Sequence, residues 1–473
     1  VKKDLKKMYG TLTALLLVSL ALIPPITAVE QQRTFYGVLP TNPLIIEIGV
    51  GSDYDYGMRL GELQRDAYKA AIDLFWKSVE RSKLDVEGIR AGAERHISVL
   101  EDHYPQYLER IRGISRGSGI PIVDLLALEL NAVDLYKLFD CTTGAAGPKA
   151  TANGESYLVW TMDLYWFTYA LIEILTPILY PLMALMDFGI EHMPGLFSFI
   201  VREVPGGYKS IGLTIPILGL SISLMNEKGL SFVGNNNGLV GDPADVGEGL
   251  SSMELLSKSL DYCANVHEAA DLIESLPRAA GAGLGATMNI IFGDGEGGIA
   301  SIEYSHNYFA AAFSGKGEIH REYIDGDYTL VGGREDILGQ ANHHQYLPYE
   351  LTGSPSPGDY QSSWIRADRI WELLNEHYGE IDLDICKEIL SDRKNGPIIA
   401  GIQFPGFNSI DRNGLLDQWK YTVWGENALI ADYGPCETNC CLIVEPMSFK
   451  IHFCTGHASV SHFVTIDFTD LLT

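Results

Sequence analysis

Hydrophobic and polar positions divide the chain into stretches of different texture. From Tyr56 to Leu100 apolar residues recur at helical spacing, as in Gly57-Met58-Arg59-Leu60-Gly61-Glu62-Leu63. A second helical block runs from Tyr104 to Gly117, stopped by Gly117-Ser118-Gly119 and Pro121, and a third covers Val123 to Leu138. Ahead of these, Pro43 to Val50 reads as an apolar strand. Beyond residue 141 the pattern shifts to short β-type runs: Ser156 to Asp163, Ile211 to Asn226, Leu230 to Gly234, Met288 to Phe292 and Ile299 to Tyr304. Asn153-Gly154 and Asp294-Gly295 supply hairpin-type turns. Helices at Met253 to Asp261, Val266 to Leu276 and Trp364 to Tyr378 interrupt this region. Strands return at Cys441 to Glu445, Lys450 to Cys454 and His462 to Phe468. Strand runs mixed with helix pairs predict an α+β layered domain rather than alternating βαβ units.

Two apolar stretches fall outside this scheme. Lys2, Lys3, Lys6 and Lys7 precede the apolar run Leu12 to Ile23, which ends at Pro24-Pro25 with the small residue Ala28 beyond. That order predicts a signal peptide or anchor over residues 1–28, and so an extracytoplasmic protein, secreted or membrane-anchored. The second stretch is nearly all apolar from Trp166 to Phe188 and resumes to Val201. Glu173, Pro177 and Pro181 argue against a straight membrane-spanning helix. A buried helical hairpin or dimer contact is one reading of 166–201; a membrane-facing or acyl-chain-binding lid is the preferred one.

Charge narrows the partners. With 61 acidic against 34 basic residues, the formal charge is -27. Such a surface repels phosphate backbones and excludes nucleic acid as an expected partner. There are 7 cysteines, an odd number, so an exported chain keeps at least one thiol. The remainder are expected as structural disulfides or buried thiols. The spacing of Cys436, Cys440, Cys441 and Cys454 fits no zinc pattern, and no metal or cofactor is expected. Gly281-Ala282-Gly283-Leu284-Gly285 imitates a dinucleotide loop but follows a helix and precedes a strand, the reverse of what a phosphate loop needs.

The candidate chemistry lies where helices give way to strands, at Leu138-Phe139-Asp140-Cys141-Thr142-Thr143-Gly144. A lone cysteine is usually a small buried hydrophobe. Here the turn at Ala150-Thr151-Ala152-Asn153-Gly154-Glu155 and the strand ending Thr161-Met162-Asp163 would return Asp163 to the side of Cys141.

These motifs, Cys-Thr-Thr, Ala-Thr-x-x-Gly and Met-Asp in that order, resemble the isopenicillin N acyltransferase-like branch of the N-terminal-nucleophile (Ntn) hydrolases. Bile salt hydrolase, penicillin V acylase and acid ceramidase are relatives of that branch. Gly51-Ser52-x-Tyr54-x-x-Gly57, Gly61-Glu62-Leu63 and Arg112-Gly113-Ile114-x-x-Gly117 are similar to its helical pro-region. Met225-Asn226-Glu227-Lys228-Gly229-Leu230, leading to Gly234-Asn235-Asn236, resembles a strand pair; Ala341-Asn342-His343 resembles its Thr-Asn-His motif. Ser362-Ser363-x-x-Arg366-x-x-Arg369 and Ile389 to Asp392 match its later helices.

The resemblance implies a four-layer αββα sandwich over 141–473 and a helical pro-segment over 29–140; the apolar insertion at 166–201 has no clear counterpart in the family. It also implies self-cleavage between Asp140 and Cys141. The freed α-amine, with a reference pKa of about 7.7, would serve as base beside its own thiol nucleophile. Asp163 would orient that amine. Asn342 and Asn236, or the neighbours Asn235 and Asn237, would stabilise the oxyanion. His343 and His344 are expected to be structural. Thr142, Trp160, Tyr165 and Trp166 are the candidate substrate contacts.

Two departures stand out. Trp160 replaces an arginine found in many relatives, and Thr438-Asn439-Cys440-Cys441 lacks another. The expectation is a cysteine hydrolase or acyltransferase acting on a small, lipophilic acyl amide, with the two processed chains staying together and 166–201 touching a membrane surface. The alternative is a membrane-apposed binding or structural protein that keeps the fold without turnover.

Overall fold

Two β-sheets stacked face to face organise the protein, and most strands are the short β-type runs of the sequence. The computed structural model describes residues 44–472 apart from 82, 137–138, 166–197, 216–219, 238–241, 243–247, 280–287, 315–320, 324–334, 355–360, 394–397, 400–401, 404–409, 412–435, 456–457 and 460–461. The signal, the glycine-rich 281–285, Trp166 and most of the apolar insertion therefore lie outside the described residues.

The six-stranded sheet runs β12 (Ile337–Gln340), β2 (Phe139–Ala146), β3 (Tyr157–Tyr165), β15 (Cys436–Glu445), β16 (Lys450–Thr455), β17 (Val464–Asp467), all antiparallel. The larger sheet runs β1 (Leu44–Gly49), β4 (Ser198–Glu203), β5 (Ser210–Ile215), β6 (Leu220–Asn226), β7 (Ser231–Asn236), β8 (Met288–Gly293), β9 (Ile299–Tyr304), β10 (Phe309–Ser314), β11 (Arg321–Tyr323). β13 (Ile398–Ile399) and β14 (Ile402–Gln403) form a separate small hairpin.

Helices α1 (Asp53–Leu63), α2 (Arg65–Arg81), α3 (Val86–His103), α4 (Pro105–Ser118) and α5 (Ile122–Tyr136) precede β2, as the 3.6-residue pattern predicts. Helices α6 (Ser252–Tyr262) and α7 (Val266–Ser275) pack on β6 and β9 of the large sheet. After the short α8 (Tyr349–Thr352), α9 (Gln361–Glu376) packs on β12 and β2, and α10 (Leu383–Leu390) on β3 and β15; α11 (Thr469–Leu472) ends the chain's described part. Between these helical layers β2 and β3 face β7 and β8, giving the four layers αββα.

The glycines of the pro-region motif have a packing reason. An added Cβ at Gly57 would lie 1.9 Å from the Arg110 carbonyl oxygen, and one at Gly113 would lie 2.1 Å from the Tyr54 carbonyl oxygen. Gly61 and Gly117 repeat the approach one turn on. Helices α1 and α4 thus touch backbone to backbone, which only residues without a side chain permit. Ser52 caps α1 by accepting from the Asp55 amide, and Gly119 closes α4 at φ 78°.

Two sequence-derived boundaries differ from the structure. Residues 198–201, the tail of the apolar insertion, belong to β4 and lie fully inside the large sheet. A continuous apolar run of this length reads equally as buried strand or helix segment. The run Ile211 to Asn226 is two strands, with Pro216 and Gly219 falling between them.

The segment ahead of Cys141 is built into the large sheet as well as lying against it. β1 pairs with β4 in parallel, Leu44 opposite Ser198 and Gly49 opposite Glu203. A buried knot of four charges joins the same two parts: Asp53 and Arg110 from the helices, Arg202 from β4 and Asp261 from α6. His96 of α3 meets Glu254 of α6 at 2.7 Å, both fully buried.

Candidate active site at Cys141

Antiparallel pairing of β2 with β3 sets the site. Cys141 stands opposite Met162, and Asp140 stands opposite Asp163. Alternation along the strand separates two faces. Thr143 accepts from Asn235 Nδ2 of β7 at 2.6 Å, so its face, shared with Cys141, looks between the sheets. Thr142 accepts from Arg366 Nη1 of α9 at 2.7 Å, so its face, shared with Asp140, looks toward the outer helices.

The Cys141 backbone is gripped between these layers. Its amide donates to Asn342 Oδ1 at 3.0 Å, and its carbonyl accepts from Arg366 Nη1. Arg366 Nη2 donates to the same Asn342 oxygen at 2.8 Å and lies 3.9 Å from Asp140 Oδ2. Asn342 Nδ2 in turn donates to the Asn236 carbonyl at 2.6 Å. Two donors at one end and an acceptor at the other fix which end of the Asn342 amide is oxygen. Asp163 is fully buried and accepts from Thr438 Oγ1 at 2.8 Å. Thr438 sits beside a bulge at residue 439, where β15 slips by one residue against β3.

The predicted residues therefore converge unequally. Cys141, Asp140, Asp163, Thr142 and Asn342 form one connected cluster. Of the asparagine run, Asn236 contributes its carbonyl, while Asn235 reaches β2 with its side chain. The Thr142 amide also donates to Thr161 Oγ1 at 3.2 Å. Trp160 is buried on the inter-sheet face beside Cys141, and Tyr165 ends β3 opposite Cys436. His343 stacks on Trp364 and bonds Ser363, and burial holds both His343 and His344 down to about 3. They are neutral structural groups.

In the sequence, Arg366 is marked only by its place in the Ser-Ser-x-x-Arg motif. It is fully buried at the centre of the cluster. The stretch that lacks the expected arginine supplies Thr438 to Asp163, and the guanidinium at the site comes from α9.

Burial, then the Asp163 charge, pushes the Cys141 thiol up to about 12; the Trp160 indole acts the other way, Asp140 raises it and Arg366 lowers it. The sulfur is thus held protonated and needs a base. Among the cysteines whose side chains are described, Cys141, Cys263, Cys386, Cys440, Cys441 and Cys454 are buried thiols. A cavity of about 70 Å³ lined by Tyr56, Tyr107, Arg110, Glu129, Ser223 and Ser257, among others, holds none of the predicted site residues.

The family described as acyl-coenzyme A:6-aminopenicillanic acid acyl-transferase matches residues 186–410. Over that segment the chain is similar to the acyltransferase family. The match spans Asn236, Asn342 and Arg366, and starts after Cys141 and Asp163. Among solved structures, a cysteine-to-alanine mutant of conjugated bile acid hydrolase from Clostridium perfringens is similar at 14% identity, over 70% of this chain and 93% of that one, with a TM-score of 0.35. An arginine-to-leucine variant of the same hydrolase is similar at 12% identity, over 70% and 88%, with a TM-score of 0.29. No curated protein sequence matches. No helix of the described residues is long and apolar enough to cross a membrane.

Proposed function

We propose that this protein is a self-processing cysteine enzyme that cleaves or transfers the acyl group of a linear amide. The observation carrying this reading is Cys141 itself. It is a buried thiol whose own amide and carbonyl are clamped by Asn342 and Arg366, with Asp163 across the strand pair.

In the first step Cys141 Sγ adds to the Asp140 carbonyl carbon, the Asp140–Cys141 C–N bond breaks, and the thiol proton passes to the departing nitrogen. Water then hydrolyses the thioester, leaving the Asp140 carboxylate, a free thiol and a free α-amine. In turnover that amine takes the thiol proton, Sγ attacks the substrate carbonyl, and the acyl-enzyme passes its acyl group to water or to an amine. Asp163, across the strand pair, is the residue expected to hold the ammonium form.

The segment cut away stays bound as a second chain, supported by the β1–β4 pairing and the buried charge knot. A lipophilic acyl group is the favoured substrate: Trp160 and Met162 line the thiol's face, and Trp160 stands where relatives have a charge. The apolar run at 166–197, ahead of β4, supports an acyl-binding or membrane-surface role, and residues 1–28 support an extracytoplasmic location. A series of N-acyl amides of rising chain length tests the substrate. Turnover that rises with chain length, with acyl adduct on Cys141, is the expected outcome; turnover of short polar amides alone would sink the lipophilic assignment.

A further inference from the structure

Asn342 lies in a loop, residues 341–347, that crosses the ends of β8 and β9 without helix or strand of its own. Two fully buried side chains hold it. Asn289 of β8 donates through Nδ2 to the carbonyls of Ala341 and His343, one on each side of Asn342, and accepts from Asn237 Nδ2 at 3.2 Å. Glu303 of β9 accepts the amides of Gln345 at 2.7 Å, Tyr346 at 2.8 Å and Leu347 at 3.0 Å, and Gln340 Nε2 at 3.3 Å. None of these bonds reaches Cys141, and the sequence reading assigns neither residue a role.

The chemistry of Glu303 is unusual for a buried carboxylate. Each donor it receives is neutral, and three are successive backbone amides of one loop. Burial pushes its carboxyl up to about 7, against the pull of those same amides. A group this costly to bury orders the backbone it binds, because each of those amides would otherwise lose a partner inside the protein. The loop's other end carries the Asn342 oxygen that receives the Cys141 amide.

We propose that Glu303 and Asn289 are positioning residues, which fix the 341–347 loop so that Asn342 holds the Cys141 backbone for reaction. The proposal rests on the processing role given above to Cys141 and Asn342. Glu303→Gln keeps the size but turns one acceptor into an NH₂ facing backbone N–H groups.

The test uses the freshly made full chain and a cycle of Glu303→Gln, Asn342→Ala and the double variant, scored by the rate of cleavage before Cys141. The expected result is at least a roughly 10-fold slowing by Glu303→Gln, with the double variant no slower than Asn342→Ala alone. Multiplying effects would mean that Glu303 acts apart from Asn342, and would overturn the proposal.

A second readout separates this proposal from the processing reading. In the Cys141→Ala chain, which stays uncut, amide hydrogen exchange is followed at 341–347 and at 139–143. Glu303→Gln should speed exchange in both stretches, whether or not the wild type processes. Faster exchange at 341–347 with 139–143 unchanged would overturn the coupling. Should Glu303→Gln unfold the chain, shown by lost protection in β16, Asn289→Ala is read in the same way.

Discussion

Arg366→Met should slow cleavage before Cys141 by at least about 100-fold, the scale of misplacing a reacting group by an ångström. The guanidinium holds four oxygens at once: the Cys141 carbonyl, Thr142 Oγ1, Asn342 Oδ1 and, at longer range, Asp140 Oδ2. Methionine fills the volume and supplies no donor. It leaves Asp140 as a buried carboxylate without its cation, and removing one partner of a buried ion pair costs about 3–5 kcal/mol. Arg366→Lys separates the two effects. Lysine restores the charge but not the planar fork, so it should recover much of the stability while cleavage stays slow. A cleavage time course beside a thermal melt measures both. A methionine variant that cuts at the wild-type rate would remove Arg366 from the account.

The second large effect is expected at the buried charge knot. Arg110 bonds Asp53 and Asp261, and Arg202 bonds the same two carboxylates, at 2.7–3.1 Å for the closest contacts. Two of these links cross the cleavage point, Arg110 to Asp261 and Arg202 to Asp53. Asp261→Ala leaves both arginines to share Asp53 alone and the Tyr104 hydroxyl without its acceptor, and should cost about 3–5 kcal/mol. Once the chain is cut, the loss falls on the contact between the two pieces. Size-exclusion chromatography should then find the 29–140 segment separating from the variant's remainder while it co-elutes in wild type. Co-elution with an unchanged melting temperature would show that the β1–β4 pair and the helix packing suffice.

The sequence was most informative where local rules apply. Helical spacing marks α1 to α5, and the turn at Asn153-Gly154 predicts the hairpin that returns Asp163 to the start of β2. The glycines at 57, 61, 113 and 117 were legible as a motif, but their cause, two backbones in contact, needed coordinates. Arg366 was hidden because an arginine on an amphipathic helix reads as solvent-facing, and only the packing of α9 on β2 turns it inward. The charge knot draws on residues 53, 110, 202 and 261, a separation no local pattern can encode. Strand β4 was read as part of an apolar insertion because four to eight apolar residues look alike in a buried strand and in a buried helix. The loop's dependence on Glu303 was equally out of reach, since an acid in a mostly apolar strand carries no sign of the amides it will accept.

The central claim is that Cys141 cuts the chain before itself. Intact mass with N-terminal sequencing of purified wild type beside Cys141→Ala tests it most directly. The account predicts a wild-type fragment beginning Cys141-Thr142-Thr143 and a mutant that remains one chain. A wild type that stays whole under conditions where it is folded, or a mutant that is cut at the same bond, would contradict it.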